Sequence, residues 1–170
     1  QAEKSPIGAN RLIYLPYLMG ERSPLLDPSA RGVFFGLSAI HTKYDMLRAV
    51  MEGVIYSQRE CLDILRGMGV VSSEMLACGG GGSSPFWRQM MADVYGLPVK
   101  TVANKEGPAL GAAILAGVGA GVYKSVPEAC RQVIHVNPAQ SPIGENHWQN
   151  EKYYEIYRSL YPALKESFSS

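Results

Sequence analysis

The sequence predicts an α/β domain in which helices flank a mixed sheet. Short apolar segments typical of strands occur at residues 12–18, 33–37, 75–78 and 99–102. From residue 45 onward, longer segments with apolar residues at helical spacing alternate with these strands. Strands that alternate with helices favour α/β architecture. The composition allows one sizeable core, because 46% of the 170 residues are hydrophobic and only 18% are charged.

Two strands joined by a turn-rich segment open the chain. The apolar residues 12–18 include Pro16, which favours a short strand that runs into a loop. Residues 20–32 are rich in glycine, proline, serine and aspartate and predict a loop. Residues 33–37 form the next predicted strand, and residues 38–44 connect it to a helix.

The clearest predicted element is a long helix over residues 45–66. Its apolar residues share one helical face, which we expect to pack on the core: Leu47, Val50, Met51, Val54, Leu62 and Leu65. Its charged residues mark the opposite face, which we expect to meet solvent: Arg48, Glu52, Arg59 and Asp63. Arg48 and Glu52 are four residues apart and predict a surface ion pair. The helix should end near Gly67 or Gly69.

A run of four glycines, Gly79 to Gly82, follows the strand at residues 75–78. It predicts a bare-backbone turn leading into a helix over residues 86–95, with Ser84 as N-cap and Pro85 in the first turn. The unpaired N–H groups and the positive end of the helix dipole suit a phosphate or a ribose hydroxyl. Glycine clusters also form plain tight turns, so both interpretations stay open here. The spacing matches neither GxxxxGK[ST] nor GxGxxG.

The remaining elements follow in order. The helix over residues 86–95 should bury Trp87, Met90, Met91 and Val94 against a sheet. A strand at 99–102, a small-residue helix at 108–117 and a short helix at 125–131 come next. A tyrosine-rich helix over residues 148–160 ends the chain, and Pro162 should kink or break it.

Charge and cysteine content exclude several classes of function. The net charge of +1 leaves no broad basic surface for nucleic acid and no polybasic membrane tail. Cys61, Cys78 and Cys130 form no zinc or disulfide pattern, which favours a reducing, cytoplasmic compartment. Residues 1–10 have no signal-peptide pattern, and residues 107–123 are too short and glycine-rich for a convincing membrane span. We therefore expect a small-molecule or protein partner.

Several ordered motifs resemble one protein family. Residues 32–37, a seven-residue spacer and residues 45–52 resemble the C-terminal signature of the FGGY carbohydrate kinases. The glycine run with the helix after it, and residues 106–113, agree with the same family in order and spacing. Residues 14–24 and 27–32 look most like its xylulokinase branch, and the resemblance covers roughly residues 12–168.

The resemblance implies an actin-like, ribonuclease H-like ATPase fold, with residues 1–170 forming the C-terminal ATP-binding domain. It implies that Gly79, Gly80, Gly81 and Ser84 hold the adenosine end of ATP. It further implies Mg²⁺-dependent transfer of the γ-phosphate to a sugar, D-xylulose giving D-xylulose 5-phosphate, and a homodimer. Glycerol, gluconate, ribulose and fuculose kinases are alternatives within the family.

The family's phosphate-binding Asp-x-Gly-Thr turn and catalytic aspartate have no counterpart in this sequence. The resemblance assigns them, with the metal ligands and the sugar site, to an N-terminal domain absent from this chain. We therefore name no catalytic and no metal-binding residue, and expect the chain alone to be inactive. A noncatalytic actin-like module is the alternative from another class. A Rossmann cofactor domain is disfavoured by the glycine spacing.

Other polar residues have structural interpretations. Asp27 suits a turn, Asp45 a helix start and Asp93 the polar face of a helix. Glu21 and Arg22 either point into the cleft between the two domains or form an ion pair that pins their loop, and the ion pair is slightly favoured. Glu106 suits the N-terminus of the small-residue helix. His41, His135 and His147 are too isolated in sequence to indicate a metal site.

Overall fold

The computed structural model describes residues 1–103 and 107–169. Two short 3₁₀ turns, Ala2–Lys4 and Ala9–Arg11, precede the first strand. The strands are β1 (Ile13–Leu15), β2 (Val33–Phe35), β3 (Met75–Ala77) and β4 (Val99–Thr101). The helices are α1 (Lys43–Gly67), α2 (Gly79–Gly82), α3 (Pro85–Tyr95), α4 (Gly107–Gly119), α5 (Val126–Val133) and α6 (Gly144–Phe168). The predicted α/β class is confirmed.

The described strands form two separate pairs, one antiparallel and one parallel. β1 and β2 are antiparallel, with Tyr14 opposite Phe34. β3 and β4 are parallel, with Leu76 opposite Lys100. Because parallel strands run in the same direction, the carboxyl ends of β3 and β4 lie at one edge. The glycine run begins at that edge.

The core lies between α1, α3, α6 and β1. Four of its largest side chains are tyrosines that are almost fully enclosed: Tyr17, Tyr56, Tyr154 and Tyr157. Helix α1 crosses β1 so closely that a Cβ at Gly53 would overlap the carbonyl oxygen of Tyr14. Glycine is therefore required at this crossing, since no side-chain rotation can relieve an overlap with backbone.

The predicted orientation of α1 is wrong for most of its charged residues and for Leu47 and Leu65, although Leu62 lies in the core as expected. Arg48, Glu52 and Arg59 are buried, at 7%, 2% and 9% exposure, whereas Leu47 and Leu65 are 48% and 45% exposed. The charged face can be buried because its charges are paired: Arg48 Nε lies 2.7 Å from Glu52 Oε1, and Arg59 binds carboxylates on α1 and α6. The predicted Arg48–Glu52 pair therefore exists, but inside the protein.

The start of α1 is fixed by a capping box. The Thr42 hydroxyl accepts the Tyr44 N–H, and the Asp45 carboxylate accepts the Thr42 N–H at 2.7 Å. Asp45 also accepts hydrogen bonds from Ser5 Oγ and Asn10 Nδ2. These donors, that of Ser5 foremost, hold the pKa of Asp45 well below its ordinary value. The helix-start interpretation of Asp45 is confirmed.

Of the kink or break expected at Pro162, the break does not occur: α6 continues to Phe168. Proline removes one helical N–H and clashes with the preceding turn, at a cost of about 3 kcal/mol. Core packing of residues before and after Pro162 offsets this loss of stability. Tyr161, Leu164 and Phe168 pack against the core, and the Tyr161 hydroxyl donates to Asp27 Oδ2 at 2.7 Å.

Residues 8–11 form a left-handed turn. Gly8, Ala9, Asn10 and Arg11 all have positive φ, between 46° and 77°. The turn is held from α1, since Gly8 N–H donates to Glu52 Oε1 at 3.0 Å. Ala9 is fully buried, whereas the side chain of Arg11 is exposed. The strain at Arg11 is therefore not offset by burial of its side chain.

Replacing Arg11 by glycine should raise the free energy of unfolding by about 0.5 kcal/mol. The left-handed backbone costs a residue with a Cβ about 1 kcal/mol, and the greater freedom of glycine in the unfolded chain offsets part of the gain. Urea denaturation measures the change. The matched control is Arg22→Gly in an exposed loop without positive φ, which should lower stability. Equal losses in both variants would contradict the prediction.

Candidate functional site

The predicted bare-backbone turn at the glycine run is a single helical turn, α2. Cys78 precedes it in an extended conformation, and Gly79 enters it at φ +78°. The turn closes because the carbonyls of Gly80 and Gly81 accept the N–H groups of Ser83 and Ser84, each at 3.2 Å. The backbone after β3 therefore forms one compact turn that leads directly into α3.

The four glycines differ in whether the local structure requires a residue without a side chain. Gly79 has a positive φ, and a Cβ at Gly82 would lie 2.9 Å from the carbonyl oxygen of Ala77. A Cβ at Gly81 would lie 3.3 Å from the ring of Trp87. A Cβ at Gly80 would meet nothing within 4 Å, and its φ is not positive. Backbone geometry explains Gly79 and Gly82, whereas nothing in the described structure requires a glycine at Gly80.

Ser84 caps α3 as predicted. Its hydroxyl oxygen accepts the N–H of Trp87 at 3.4 Å, Pro85 occupies the first turn and Gly96 ends the helix in the left-handed conformation. A serine hydroxyl also carries one donor, so the cap leaves Ser84 able to donate to a ligand. Gly79, Gly80, Gly81 and Ser84 thus lie together, at the junction of β3 and α3.

Arg88 is a residue of this site that the sequence analysis missed. Its Nη1 donates to the carbonyl of Gly82 at 2.6 Å and its Nε to Oε1 of Gln140 at 2.8 Å. Gln140 in turn donates to the carbonyl of Pro85 at 3.0 Å. Arg88 therefore fixes the end of the glycine run to a segment 52 residues later. No local pattern could have indicated a contact of that separation.

Asp93 is buried on α3 and anchors the start of α6. It accepts hydrogen bonds from the Ile143 N–H, Asn146 Nδ2 and Gln89 Nε2, each at 2.8 Å. Gln89 also donates to the carbonyl of Ser141. The structural interpretation of Asp93 is confirmed, and Gln89 faces the segment before α6 rather than the glycine run.

The loop between β1 and β2 is held differently from the prediction. Among the ion pairs of residues 1–103 and 107–169 there is none between Glu21 and Arg22. The Glu21 carboxylate instead accepts the backbone N–H groups of Arg22 and Ser23. Asp27 accepts the Ser29 N–H at 2.8 Å, as its turn-forming role predicts. The Glu21 carboxylate therefore stabilises this loop as an acceptor of backbone N–H groups and not as an ion-pair partner of the Arg22 guanidinium.

An apolar cavity of about 420 Å³ lies at the carboxyl ends of β3 and β4. It is lined by Cys78 and Val102 after the strands, by residues of α4 such as Leu110 and Ile114, and by Ile134 after α5. Ligands of open α/β sheets commonly bind at this edge. Glu106, predicted for the N-terminus of α4, lies outside the described residues.

The described residues contain no group of three or more histidine, cysteine, aspartate or glutamate side chains that could hold a metal ion. Cys61, Cys78 and Cys130 are all free thiols. No helix in the described part of the chain is both long enough and apolar enough to cross a membrane.

Comparison with known proteins gives consistent matches. The model of the C-terminal domain of the FGGY family of carbohydrate kinases matches residues 1–120. The chain is 41% identical over 165 residues to a xylulose kinase of Staphylococcus epidermidis, covering 97% of this chain and 33% of that protein. It is 37% identical over 164 residues to a xylulose kinase of Bacillus subtilis, covering 96% and 33%. The chain thus spans about a third of the length of these curated relatives.

Solved structures that resemble this chain are also carbohydrate kinases. A ligand-bound xylulose kinase from Lactobacillus acidophilus superimposes with a TM-score of 0.90 at 32% identity, covering 99% of this chain and 34% of that one. A gluconate kinase from the same organism gives a TM-score of 0.88 at 32% identity with the same coverage. The fold is the actin-like ATPase fold of these kinases, as the resemblance implied. On the family model, the sequence identities and the superpositions together, the chain belongs to the FGGY family of carbohydrate kinases.

Proposed function

We propose that residues 1–170 are the C-terminal, ATP-binding domain of a sugar kinase whose acceptor is D-xylulose and whose product is D-xylulose 5-phosphate. The observation that supports the nucleotide site is the open space around Gly80. No packing contact explains why this residue has no side chain. A side chain there would occupy the surface that a nucleotide must approach. The curated xylulose kinases support the acceptor.

In this proposal the glycine run lets the ribose and adenine of ATP lie against bare backbone. Ser84 donates a hydrogen bond to the nucleotide while its oxygen stays engaged as the N-cap of α3. Arg88 holds the carbonyl of Gly82, so the run keeps its shape without the nucleotide. The positive end of α3 favours the anionic ligand. Preorganised backbone lowers the cost of ordering on binding.

Mg²⁺ supplies neutralisation of charge on the β- and γ-phosphates when bound. The donor set in the described residues of this chain does not form a metal site, so we assign the Mg²⁺ ligands and the general base to the N-terminal domain. Closure of the two domains brings the nucleotide to the sugar and excludes water. The isolated chain should therefore bind ATP without phosphorylating a sugar. We place the kinase in the cytoplasm.

Gluconate is a second candidate for the sugar acceptor, on the basis of one structural comparison. The gluconate kinase of Lactobacillus acidophilus superimposes nearly as well as the xylulose kinase from that organism, with TM-scores of 0.88 and 0.90. A fold shared this closely does not distinguish the two sugars. Gluconate is therefore the main alternative acceptor, with the same nucleotide site.

Replacing Gly80 by tryptophan in the full-length protein should weaken nucleotide binding by at least about tenfold, a loss of 1.4 kcal/mol or more. The indole would fill the space above the glycine run, and the thermal midpoint of unfolding should change little because that space is open. Calorimetric titration with a nonhydrolysable ATP analogue measures binding, and a coupled assay with D-xylulose, gluconate and glycerol measures turnover.

The matched control is Gly67→Trp at the end of α1, where a Cβ also meets nothing within 4 Å. It should bind nucleotide as the unmodified protein does. Undiminished binding by Gly80→Trp would refute the assigned nucleotide site. Turnover with gluconate alone would change the acceptor, and ATP binding without turnover on any sugar would favour a noncatalytic module.

A further inference from the structure

Glu60 of α1 carries a half-buried carboxyl group that the proposed kinase function does not use, close to Tyr17 of the loop after β1 and Arg158 of α6. Glu60 Oε2 is enclosed and has no hydrogen-bond partner within the described residues. Beside it lie Tyr17 and Tyr157, each 1% exposed, with their hydroxyl oxygens 2.6 Å apart. Tyr17 interacts with the Glu60 carboxyl and Tyr157 with the Ser57 hydroxyl. The hydrogen-bonded pair of tyrosine hydroxyls therefore lies next to the Glu60 carboxyl.

The charges around Glu60 come from every element packed on it. Helix α6 contributes Arg158, together with the hydroxyls of Tyr154 and Tyr157. Helix α1 contributes Cys61 and Asp63, and Asp63 is paired with Arg59. The loop after β1 contributes Tyr17, which also senses the charge of Glu21. Arg59 is engaged by Asp63 and Glu151, and the Arg158 guanidinium lies 3.6 Å from Glu155. Neither cation is therefore devoted to Glu60.

The lack of a cation dedicated to Glu60 affects the charge state of its carboxyl group near neutral pH. Burial raises the pKa of Glu60 from 4.5 to about 7, and the charge of Arg158 opposes the rise only in part. An ionised carboxylate would leave Oε2 charged, enclosed and without a donor. A neutral carboxyl removes that charge.

Two tyrosines of α6 anchor one segment of the chain, residues 16–32, which connects β1 to β2. Tyr17 ties its start to Tyr157 of α6, and Asp27 ties its far end to Tyr161 of α6 at 2.7 Å. Leaving α6 would expose the region around Tyr17 to water. We propose that Glu60, Tyr17 and Tyr157 form a proton-dependent latch, which seats residues 16–32 on α1 and α6 most firmly when Glu60 is neutral.

The direction of the pH dependence follows from linkage. When the segment opens, Glu60 is hydrated and its pKa returns toward the ordinary 4.5. The open state therefore loses its proton first, and opening becomes more favourable as pH rises from 4.5 through 7. Between pH 6 and pH 8 the opening equilibrium constant should increase about tenfold for a single group with these two pKa values.

Hydrogen exchange of the full-length protein, followed by mass spectrometry and corrected for the intrinsic pH dependence of exchange, measures this opening. The reporters are the amides of Gly20, Glu21, Leu26 and Asp27, which donate hydrogen bonds within the segment. The unmodified protein should show the tenfold increase. Glu60→Gln keeps the shape of the side chain without its charge and should show less than about a twofold change.

The matched control is Glu155→Gln, which removes an exposed carboxylate beside the same Arg158 and should keep the full pH dependence. A flat profile in the unmodified protein, or a tenfold increase retained in Glu60→Gln, would overturn the proposal. Carbon-13 NMR titration of the Glu60 carboxyl gives a second test that needs no folded variant. A midpoint near 7 supports the latch, and a midpoint below 5 refutes it.

Discussion

Replacing Arg48 by methionine should lower the free energy of unfolding by about 3 to 5 kcal/mol, because it leaves a buried carboxylate without its partner. Arg48 Nε lies 2.7 Å from Glu52 Oε1, and both side chains are buried. Arg48 also donates to the carbonyl of Ser5 at 3.1 Å and lies over the ring of Phe86. Methionine fills part of the same volume but can make neither polar contact. Chemical denaturation measures the loss.

The loss should depend on pH, and its direction follows from Glu52. Burial raises the pKa of Glu52, and the charge of Arg48, its hydrogen bond and the Gly8 N–H oppose the rise. Without Arg48 the folded-state pKa rises further above that of the unfolded chain. Stability is then fullest below the unfolded pKa and falls as pH increases through the folded pKa. The Arg48→Met variant should therefore lose more stability at pH 8 than at pH 5.

The double variant Arg48→Met/Glu52→Gln should recover part of the loss at pH 8, since it removes the unpaired charge as well. The matched control is Lys100→Met, which breaks the partly exposed Lys100–Glu74 pair and should cost less than about 1 kcal/mol. A loss in Arg48→Met no greater than in this control would contradict the buried-pair argument. So would a double variant less stable than Arg48→Met.

Replacing Gly53 by alanine should lower the free energy of unfolding by about 2 kcal/mol or more, although alanine is the better helix former. The added methyl group would overlap the backbone carbonyl of Tyr14. Relief requires α1 and β1 to separate, and overpacking of a tight core costs about 1 to 3 kcal/mol or more. The gain of about 1 kcal/mol in helix propensity is smaller. Urea denaturation measures the difference.

Gly111→Ala is the matched control, since Gly111 lies inside α4 and a Cβ there meets nothing within 4 Å. It should be neutral or raise stability by up to about 1 kcal/mol. A Gly53→Ala protein as stable as the unmodified one would show that α1 can move away from β1 without loss. The two substitutions thus separate helix propensity from packing.

Features of this chain that depend on neighbouring residues were predictable from the sequence, whereas features that depend on distant residues were not. The N-cap Ser84 and the end of α3 at Gly96 were predictable because caps depend on residues a few positions apart. The orientation of α1 was not, because helical periodicity shows that two faces differ but not which one is buried. Arg59 is buried because Glu151, 92 residues later, pairs with it.

The candidate site shows the same division. The glycine run and Ser84 were found from local pattern, and their assignment to a nucleotide remains a prediction for the Gly80→Trp test. The compact shape of the run and the role of Arg88 needed the structure, because both depend on how β3, α3 and residue Gln140 meet.

Pro162 illustrates the balance of local and tertiary effects most directly. Local rules end a helix there, and packing of Tyr161 and Leu164 on the core carries α6 past it. The family, the order of the elements, the N-cap of α3 and the position of the glycine run could be read from the sequence, since they rest on contiguous residues. Which charges are buried, which glycines are indispensable and where Glu60 lies became known from the fold, because they depend on contacts between residues far apart in the chain.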